Sequence, residues 1–155
     1  MKTSVKLLAG IVAFVFLLLL GLRITGLNPK GPRPGLWLSG TIATTAVADW
    51  SFSDQYSMIQ VQTRPWYFVP HSVTIFCASY ENRLHLQALG KTWKGYVLRD
   101  PRVRIKIADR LYDGTAVPVT DQEEYRGVVQ SMTKKYGRPS PEEFYTDVYF
   151  RFASR

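Results

Sequence analysis

Apolar and polar side chains alternate at every second position in several short stretches of this sequence. In RVRIKI, residues 102–107, three basic side chains alternate with three aliphatic ones, and residues 56–63, 84–88 and 148–152 show the same period. Because successive side chains of a β-strand point to opposite faces of the sheet, each stretch can bury one face and leave the other in water. The sequence therefore predicts a mainly β domain built from short, half-buried strands.

Turn residues separate these strands from three more. Residues 36–47, 71–80 and 115–119 are predicted as further strands. Glu81-Asn82 predicts a hairpin between the strand that ends at residue 80 and its successor, and Asp113-Gly114 predicts the turn after residue 107. Antiparallel neighbours joined by short turns are therefore expected through most of the domain.

Two helices are predicted between the strands. Asp121 and Glu124 have the spacing of a capping box, and Gly137 is suited to a helix C-cap. One apolar stripe lies between them, formed by Tyr125, Val128, Val129, Met132 and Tyr136. Thr92 is predicted to cap a shorter helix over residues 93–99, which stops before the next proline. About six antiparallel strands and two helices predict a closed or nearly closed β-barrel with helical covers.

The sequence begins with a long apolar run. Residues 7–22 are uncharged and almost entirely aliphatic, and with their flanks from Val5 to Leu27 they reach the roughly twenty residues that cross ~30 Å of hydrocarbon. A cleaved signal peptide would need small residues at its end, whereas this run leaves through Leu22-Arg23-Ile24-Thr25. An uncleaved membrane anchor is therefore predicted. The predicted regions are a transmembrane anchor at 1–27, a Pro/Gly linker at 28–35 and a folded domain at 36–155.

The formal net charge of +8 is unevenly distributed. Five lysines and arginines precede residue 36 with no acidic residue among them, whereas fifteen face twelve acidic residues after it. The folded domain is thus only mildly basic, and a nucleic-acid partner is not expected. Positive charges flank the apolar run on both sides, two before it and three after it. The positive-inside rule therefore does not decide which way the anchor faces.

Few residues are candidates for catalysis or metal binding. Cys77, the one cysteine, lies in an apolar run, which excludes an intrachain disulfide and predicts a small buried side chain in a strand. His71 and His85, the two histidines, are expected on neighbouring strands without an acidic cluster, so no metal site is predicted. Glycine-based nucleophile and nucleotide-binding motifs do not occur. Hydrolysis has no candidate residues, and the catalytic residues stay unknown.

Basic residues are concentrated between residues 90 and 108. Lys91 and Lys94 flank a predicted helix start that follows a strand, where backbone N–H and ammonium groups favour an anion such as a phosphate. Arg102, Arg104 and Lys106 are instead typical of the solvated outer face of a barrel strand. The other interpretation of the whole segment is a basic surface that binds anionic lipid or nucleic acid.

The order of these features resembles that of the pyridoxamine 5'-phosphate oxidase-like split barrels, most of which bind flavin mononucleotide (FMN) or a deazaflavin. The matching stretches are IQVQT at 59–63, VPHSV at 69–73, LHL at 84–86, KTWK at 91–94, LRDPRV at 98–103 and the helix at 121–136. The most specific is LRDPRV followed by an alternating strand. The resemblance implies a six-stranded antiparallel split β-barrel with two or three short helices.

The resemblance also implies a homodimer that holds FMN, with the isoalloxazine ring in a groove between the subunits. Residues 71–73 stand where the family places an arginine and backbone amides around the phosphate, and residues 91–94 stand at its basic residue beside the short helix. The candidate cofactor-binding residues are His71, Ser72, Val73, Lys91, Thr92, Trp93 and Lys94. Trp66 and Tyr67 are aromatic candidates for packing near the ring, as is Trp93.

Three departures from the family pattern matter. His71-Ser72 replaces the commoner arginine, and a neutral histidine is a weaker partner for an anion. The position eight residues before the proline of LRDPRV holds Trp93 instead of a basic residue, which resembles the deazaflavin-dependent reductase branch. The oxidase's residues for the substrate phosphate have no counterparts here. Oxidation of vitamin B6 is therefore not expected.

These features together predict a membrane-anchored, FMN-binding oxidoreductase. Its small-molecule redox substrate is not identified by the sequence. Because noncovalent flavin enzymes are more often cytoplasmic, the soluble domain is expected at the cytoplasmic face of the cell membrane. The alternative is a non-catalytic binding or carrier protein for flavin, deazaflavin or haem on the same barrel.

Overall fold

The computed structural model describes residues 2–137 and 148–154, with side chains from residue 5 onward. Its elements in chain order are α1 (Lys2–Thr25), β1 (Thr41–Ile42), a 3-10 helix (Ser51–Gln55), β2 (Ile59–Thr63), β3 (His71–Ile75), β4 (Cys77–Tyr80), β5 (Arg83–Gln87), α2 (Lys91–Arg99), β6 (Arg102–Ile107), β7 (Arg110–Pro118), α3 (Gln122–Tyr136) and β8 (Tyr149–Ser154). The predicted mainly β domain with short helices is confirmed.

One curled sheet contains all the strands of the described residues. Its main path runs β3-β2-β6-β7-β8-β5-β4 with antiparallel neighbours, and the short β1 pairs in parallel with β7. β3 and β4 stand at opposite ends of this path, yet Phe76 alone separates them in the chain. The sheet must therefore curl until its two ends meet, which gives the predicted split barrel. The path has seven strands rather than six, a small difference that follows from the division of residues 71–80 at Phe76.

The barrel interior is filled by the apolar half of each alternating strand. Val103, Ile105 and Ile107 of β6 are buried, as the alternation predicted, and Ile59 and Val61 of β2 lie beside them. Burying one such side chain contributes about 1.5–3 kcal/mol relative to leaving it in water. The basic half of β6 lies on the other face and forms ion pairs, Arg102 with Asp100, Arg104 with Asp113 and Lys106 with Asp109.

Helix α3 covers the outside of the barrel at β4. The Asp121 side chain accepts a hydrogen bond of 2.7 Å from the backbone N–H of Glu124, and Gly137 ends the helix in the left-handed conformation. Both predicted caps are therefore confirmed. The predicted apolar stripe supplies a second buried cluster with Ala78, Val119 and Tyr149. Gly127 is needed on this face because a Cβ there would collide with the Tyr80 ring.

One strand prediction and one turn prediction are wrong. Only Thr41–Ile42 of the predicted strand 36–47 forms a strand. The predicted strand at 115–119 is confirmed over residues 115–118, which form the end of the longer β7. The hairpin between β6 and β7 turns at Ala108-Asp109, so Asp113-Gly114 lies inside β7. Asp113 pairs there with Arg104 across the strands, and a Cβ on Gly114 would collide with Phe152. The glycine therefore marks a close approach of two strands rather than a turn.

Helix α1 and the segment after it differ in their contacts. The part of α1 from Val5 to Thr25 is long and apolar enough to cross a membrane, and none of it is buried against the rest of the chain. Residues 28–35 instead lie along the barrel. Gly35 exchanges two backbone hydrogen bonds with Ser72 of β3, at 2.8 and 3.0 Å, and the buried Pro29 accepts one from Gln60 of β2.

Candidate functional site

Helix α2 begins without a side-chain cap. Gly90 occupies the N-cap position in an extended conformation, no described side chain caps the helix, and its first turn has no acidic residue. Thr92 lies inside the first turn, so its prediction as the cap is wrong. The first N–H groups of a helix have no partner within the helix and carry its positive dipole end. The start of α2 therefore has the local structure of an anion site, next to the exposed Lys91.

A cavity of about 190 Å³ lies beside this helix start. Its wall combines β3, the beginning of α2 and the segment that follows α1. The lining residues are Gly31, Pro32, Arg33, Pro34, Val73, Thr74, Ile75, Phe76, Gln87, Leu89, Gly90 and Trp93. Val73 and Trp93, predicted from separate parts of the sequence, thus meet in one cavity. We call it the β3–α2 cavity.

The Trp93 side chain forms the inner wall of this cavity and is not an exposed aromatic surface. It is 3% exposed and packs on Phe150 of β8, with 5.8 Å between the ring centroids. Lys91 and Thr92 are exposed at the same end of α2, and Lys94 is half-buried one turn later. Four of the seven predicted residues therefore belong to one helix start, and Val73 faces it from β3.

His71 and Ser72 lie outside the β3–α2 cavity. The His71 ring packs edge-on against Tyr96 at 5.5 Å, and burial lowers the pKa of His71, so the ring is neutral at pH 7. The Tyr96 hydroxyl lies 3.2 Å from that of Tyr67. The backbone of Ser72 is already paired with Gly35, and its buried Oγ has no hydrogen-bond partner among the described residues.

A larger and more polar groove of about 570 Å³ lies next to the end of α1. Four arginines of the described residues line it, together with the loop between β2 and β3 and part of the segment after α1. These arginines are Arg23, Arg64, Arg102 and Arg104, and we call the groove the arginine groove. Trp66 and Tyr67, the two aromatic candidates of the sequence, lie here and not in the β3–α2 cavity. Arg23 and Arg64 were not among the candidate residues of the sequence, because only the fold brings them together.

A third cavity of about 660 Å³ lies at the turn between β6 and β7. Phe52, Tyr56 and Tyr112 form its aromatic wall. Burial raises the pKa of the Tyr112 hydroxyl, so it stays protonated at neutral pH. No residue of the predicted cofactor set lines this cavity.

His85 is part of a polar cluster that attaches α3 to the barrel. Its ring is fully buried, and Nε2 lies 3.0 Å from a Glu124 carboxylate oxygen that also accepts from Arg151. Burial lowers the pKa of His85 more than the bond to Glu124 raises it. Burial opposes the ionisation of Glu124, but hydrogen bonds from His85 and Arg151 outweigh it and lower the pKa of its carboxyl. His85 lies on β5 and His71 on β3, so the prediction of neighbouring strands is wrong.

Cys77 belongs to a second cluster at the end of α3. It is fully buried in β4, as predicted, and burial raises the pKa of its thiol to about 11 despite the nearby Lys135 ammonium. The Lys135 Nζ donates to the carbonyls of Cys77 and Ser53, and the Tyr136 hydroxyl accepts from the Cys77 N–H. A protonated, buried thiol is not a nucleophile. Within residues 2–137 and 148–154, no three His, Cys, Asp or Glu side chains gather as for a metal ion.

Comparison with known proteins identifies the fold. No protein-family model and no curated protein matches this chain. A conserved hypothetical protein from Mycobacterium tuberculosis is a structural match with a TM-score of 0.53 and 20% identity, covering 76% of this chain and 86% of that one. A protein described as a candidate pyridoxamine 5'-phosphate oxidase from Listeria innocua matches with a TM-score of 0.51 and 15% identity, covering 66% and 86%.

A third solved structure extends this match. A candidate 5-nitroimidazole antibiotic resistance protein from Bacteroides thetaiotaomicron has a TM-score of 0.51 and 12% identity, over 81% of this chain and 85% of that one. The chain therefore has the split-barrel fold of these solved structures, which confirms the fold that the resemblance in its sequence implied.

Proposed function

We propose that this chain is a membrane-anchored flavoprotein that binds FMN and acts as an oxidoreductase on a small-molecule substrate. One observation carries the proposal: the uncapped start of α2 lies beside a cavity that Val73 and Trp93 share, on a split barrel. The structural match to a candidate pyridoxamine 5'-phosphate oxidase supports a flavin for this fold.

The charges around the β3–α2 cavity suit the phosphate end of FMN. Arg33 is the one charged side chain among its described lining residues, and no described carboxylate lines it. Lys91 adds a second positive charge at the exposed start of α2. Backbone N–H groups at a helix start, combined with cationic side chains, are a common phosphate site in proteins. In this arrangement Lys91 and Lys94 bind the phosphate while Trp93 closes the inner wall.

The size of the cavity supports a second subunit at the site. At about 190 Å³ it lies below the roughly 300–1,000 Å³ typical of small-molecule sites. One chain would therefore hold the phosphate end, and the ring would lie between two chains. Leu89 and Leu98, 65% and 52% exposed at the two ends of α2, are apolar side chains that a partner would cover. We therefore propose a homodimer.

The flavin, when bound, supplies the redox chemistry of the site, and the protein supplies binding and orientation. Trp93 excludes water from the inner wall, and the neutral His71 lies outside it. Arg33 is the one ionisable side chain among the described lining residues, so we assign no general acid or base.

The apolar helix α1 supports a single membrane span. Its segment Val5–Thr25 has the length and composition that a span needs. The polar segment after it is bound along the barrel through Gly35 and Pro29, so the folded domain sits directly after the helix. We propose that this domain lies at the cytoplasmic face of the cell membrane.

FMN titration of the full chain in detergent micelles tests the proposed function. Binding is measured by flavin fluorescence and by the unfolding temperature, and the bound flavin is then reduced with a nicotinamide donor. The double variant Lys91→Ala/Lys94→Ala is expected to bind FMN at least about tenfold more weakly, since each charge-assisted hydrogen bond contributes about 1.5–3 kcal/mol.

The matched control is Arg126→Ala/Lys134→Ala, which removes the same charge from the outer surface of α3. We expect it to bind FMN like the wild type. The proposed function would be contradicted if FMN did not raise the unfolding temperature of the wild-type chain and the titration showed no change in flavin fluorescence. Equal affinity of the two double variants would contradict only the assignment of the phosphate site.

A non-catalytic carrier is the second candidate, favoured by the shortage of ionisable side chains around the cavity. The cofactor alternatives are distinguished by the visible spectrum. Haem would give a Soret band, although of the two histidines only the half-buried His71 is accessible as a ligand. A deazaflavin would displace FMN in the same titration. A chain that binds flavin tightly but passes no electrons from donor to acceptor would support the carrier.

A further inference from the structure

The loop between β2 and β3 exposes three consecutive aromatic side chains. Trp66 is 74% exposed, Tyr67 38% and Phe68 fully. The Trp66 and Tyr67 rings contact each other edge-on at 5.6 Å, and the Phe68 ring makes no ring contact among the described residues. Clustered aromatic exposure of this kind marks an interaction surface rather than ordinary surface composition.

The position of this loop relates it to the end of α1. Arg23, two residues before the last residue of α1, lines the arginine groove together with Trp66, Tyr67 and Phe68. A residue two positions from the end of a helix lies about 3 Å from that end along the axis. If α1 spans a bilayer, Arg23 lies at the level of the lipid headgroups. The aromatic loop then lies at the same level.

The charges of the groove are neutralised on one side only. Arg102 binds Asp100 and Arg104 binds Asp113, each through two guanidinium nitrogens. Arg23 and Arg64 form no ion pair with any described residue, although the charge of Arg64 contributes to the lowered pKa of the Asp100 carboxyl. Two guanidinium groups outside ion pairs, beside exposed tryptophan and tyrosine, match the composition of a membrane interface, where aromatic rings lie among the headgroups and arginines bind lipid phosphates.

We propose that the loop at residues 64–70 inserts into the bilayer face from which α1 emerges, with Arg23 and Arg64 binding the phosphates of anionic lipids. This inference rests on the membrane-anchor part of the proposed function and goes beyond it. The folded domain then has two attachments to the membrane, the helix and the loop. A domain held at two points keeps one orientation towards the bilayer, whereas one held by a tether alone rotates freely.

Depth-dependent fluorescence quenching in full-chain nanodiscs tests this surface. Phe68→Cys carries an environment-sensitive fluorophore, and the buried native Cys77 supplies the labelling background, measured on the wild-type chain. The control is the same fluorophore on Gln130→Cys, an exposed position of α3 on the β4 side of the barrel. In nanodiscs we expect the emission of the probe at 68 to shift to the blue, and we expect lipids with a quencher in the headgroup region to quench it. The probe at 130 should show neither change.

The role of lipid charge is tested by changing the lipid composition of the nanodiscs. Nanodiscs of phosphatidylcholine are compared with nanodiscs that also contain phosphatidylglycerol, and we expect stronger quenching at position 68 in the second. Arg64→Gln in the Phe68→Cys background is expected to reduce this gain, since Arg23 remains, whereas Arg126→Gln on the exposed surface of α3 should leave it unchanged. A gain that Arg64→Gln leaves undiminished would overturn the assignment of this arginine to lipid phosphate.

The remaining outcomes separate this inference from the functions on which it rests. Equal spectra at positions 68 and 130 in nanodiscs overturn it while leaving the anchor intact. A probe at 68 that is blue-shifted without lipid quenching, in a chain that elutes as a dimer, overturns it in favour of contact between two copies. Release of the wild-type chain from membranes by alkaline carbonate overturns the anchor and the docking surface together. FMN binding is independent of all these results.

Discussion

The two helices on the barrel illustrate opposite ways of using polar groups. At α3, Asp121 caps the helix start, and Glu124, Lys135 and Tyr136 connect its two ends to the barrel through hydrogen bonds. At α2, the helix start is uncapped, Lys91 is exposed there and a cavity lies beside it. Polar groups satisfied within the chain stabilise the fold, while those left without partners are available to a ligand. The difference predicts that changes at α3 affect stability and that changes at α2 affect binding.

Removal of Glu124 should cause the largest loss of stability. Glu124→Ala leaves the buried His85 and the half-buried Arg151 without their carboxylate, which is expected to lower the free energy of unfolding by about 3 kcal/mol. Urea unfolding followed by tryptophan fluorescence measures the change. Glu123→Ala is the control, since it removes an exposed acid from the same first turn and should cost less than about 0.5 kcal/mol. Equal losses would mean that the cluster is not what holds α3.

Loss of the Tyr136 hydroxyl should have the next largest effect. Tyr136→Phe removes the acceptor of the Cys77 N–H and a donor that reaches two backbone carbonyls, so we expect a loss of about 2 kcal/mol in the same unfolding measurement. Tyr56→Phe is the matched control, because the half-buried Tyr56 hydroxyl has no side-chain hydrogen bond to a described residue. A Tyr136→Phe chain as stable as the control would show that water replaces these bonds.

Capping α2 should separate binding from folding. Gly90→Asp supplies the missing cap and a negative charge, and the added Cβ makes only an ordinary contact with Trp93. Stability should stay within a few tenths of a kcal/mol. FMN affinity should fall about tenfold, equivalent to about 1.4 kcal/mol, as measured by fluorescence titration. Gly90→Asn gives a neutral cap of the same shape and should lose less FMN affinity than Gly90→Asp. An affinity that Gly90→Asp does not change would place the phosphate elsewhere.

The dependence of stability on pH should give the smallest effect. Burial lowers the pKa of His85 below its usual 6.5, so below pH 6.5 the unfolded chain binds a proton that the folded chain does not. Stability should therefore fall as the pH falls from 6.5, by less than about 1.4 kcal/mol per pH unit for one group. The lowered pKa of Glu124 adds a second loss below its usual 4.5, with the same sign.

Urea midpoints measured between pH 7.5 and 5.5 check the histidine part of this expectation. The Nδ1 atom of His85 lies 3.1 Å from the carbonyl of Arg83, so a protonated ring would have an acceptor on each side. A stability that rises as the pH falls towards 5.5 would show that the folded chain holds the proton between these two acceptors. It would contradict the neutral state of His85.

The parts of the fold that the sequence predicted correctly depend on local periodicity. The alternation of β6, the hairpin of β4 with β5 and both caps of α3 each follow from residues that are close in the chain. The wrong turn prediction arose where a distant contact overrides a local signal. Gly114 reads as a turn residue, yet it lies within β7 because Phe152 occupies the space of a side chain.

The candidate site divides in the same way. The sequence predicted that Lys91, Trp93 and Val73 contribute to one site, because the family order places them so, and the structure brings the last two into one cavity. It missed Arg33 and Gly90, since nothing near either residue signals that the segment after α1 folds back along β3. The role of all these residues in cofactor binding stays a prediction.

The sequence by itself determined the mainly β class, the apolar helix and most of the segments that form strands, because side-chain period and length are local properties. Tertiary structure alone decided which polar groups are paired within the chain and which can bind a ligand. His85 binds Glu124, the Ser72 backbone binds Gly35 and Arg102 binds Asp100. By contrast, the start of α2 is uncapped, and Arg23 and Arg64 form no ion pair with a described residue. The physical reason is that hydrogen bonds act over about 3 Å, and only the folded chain brings distant residues within that range.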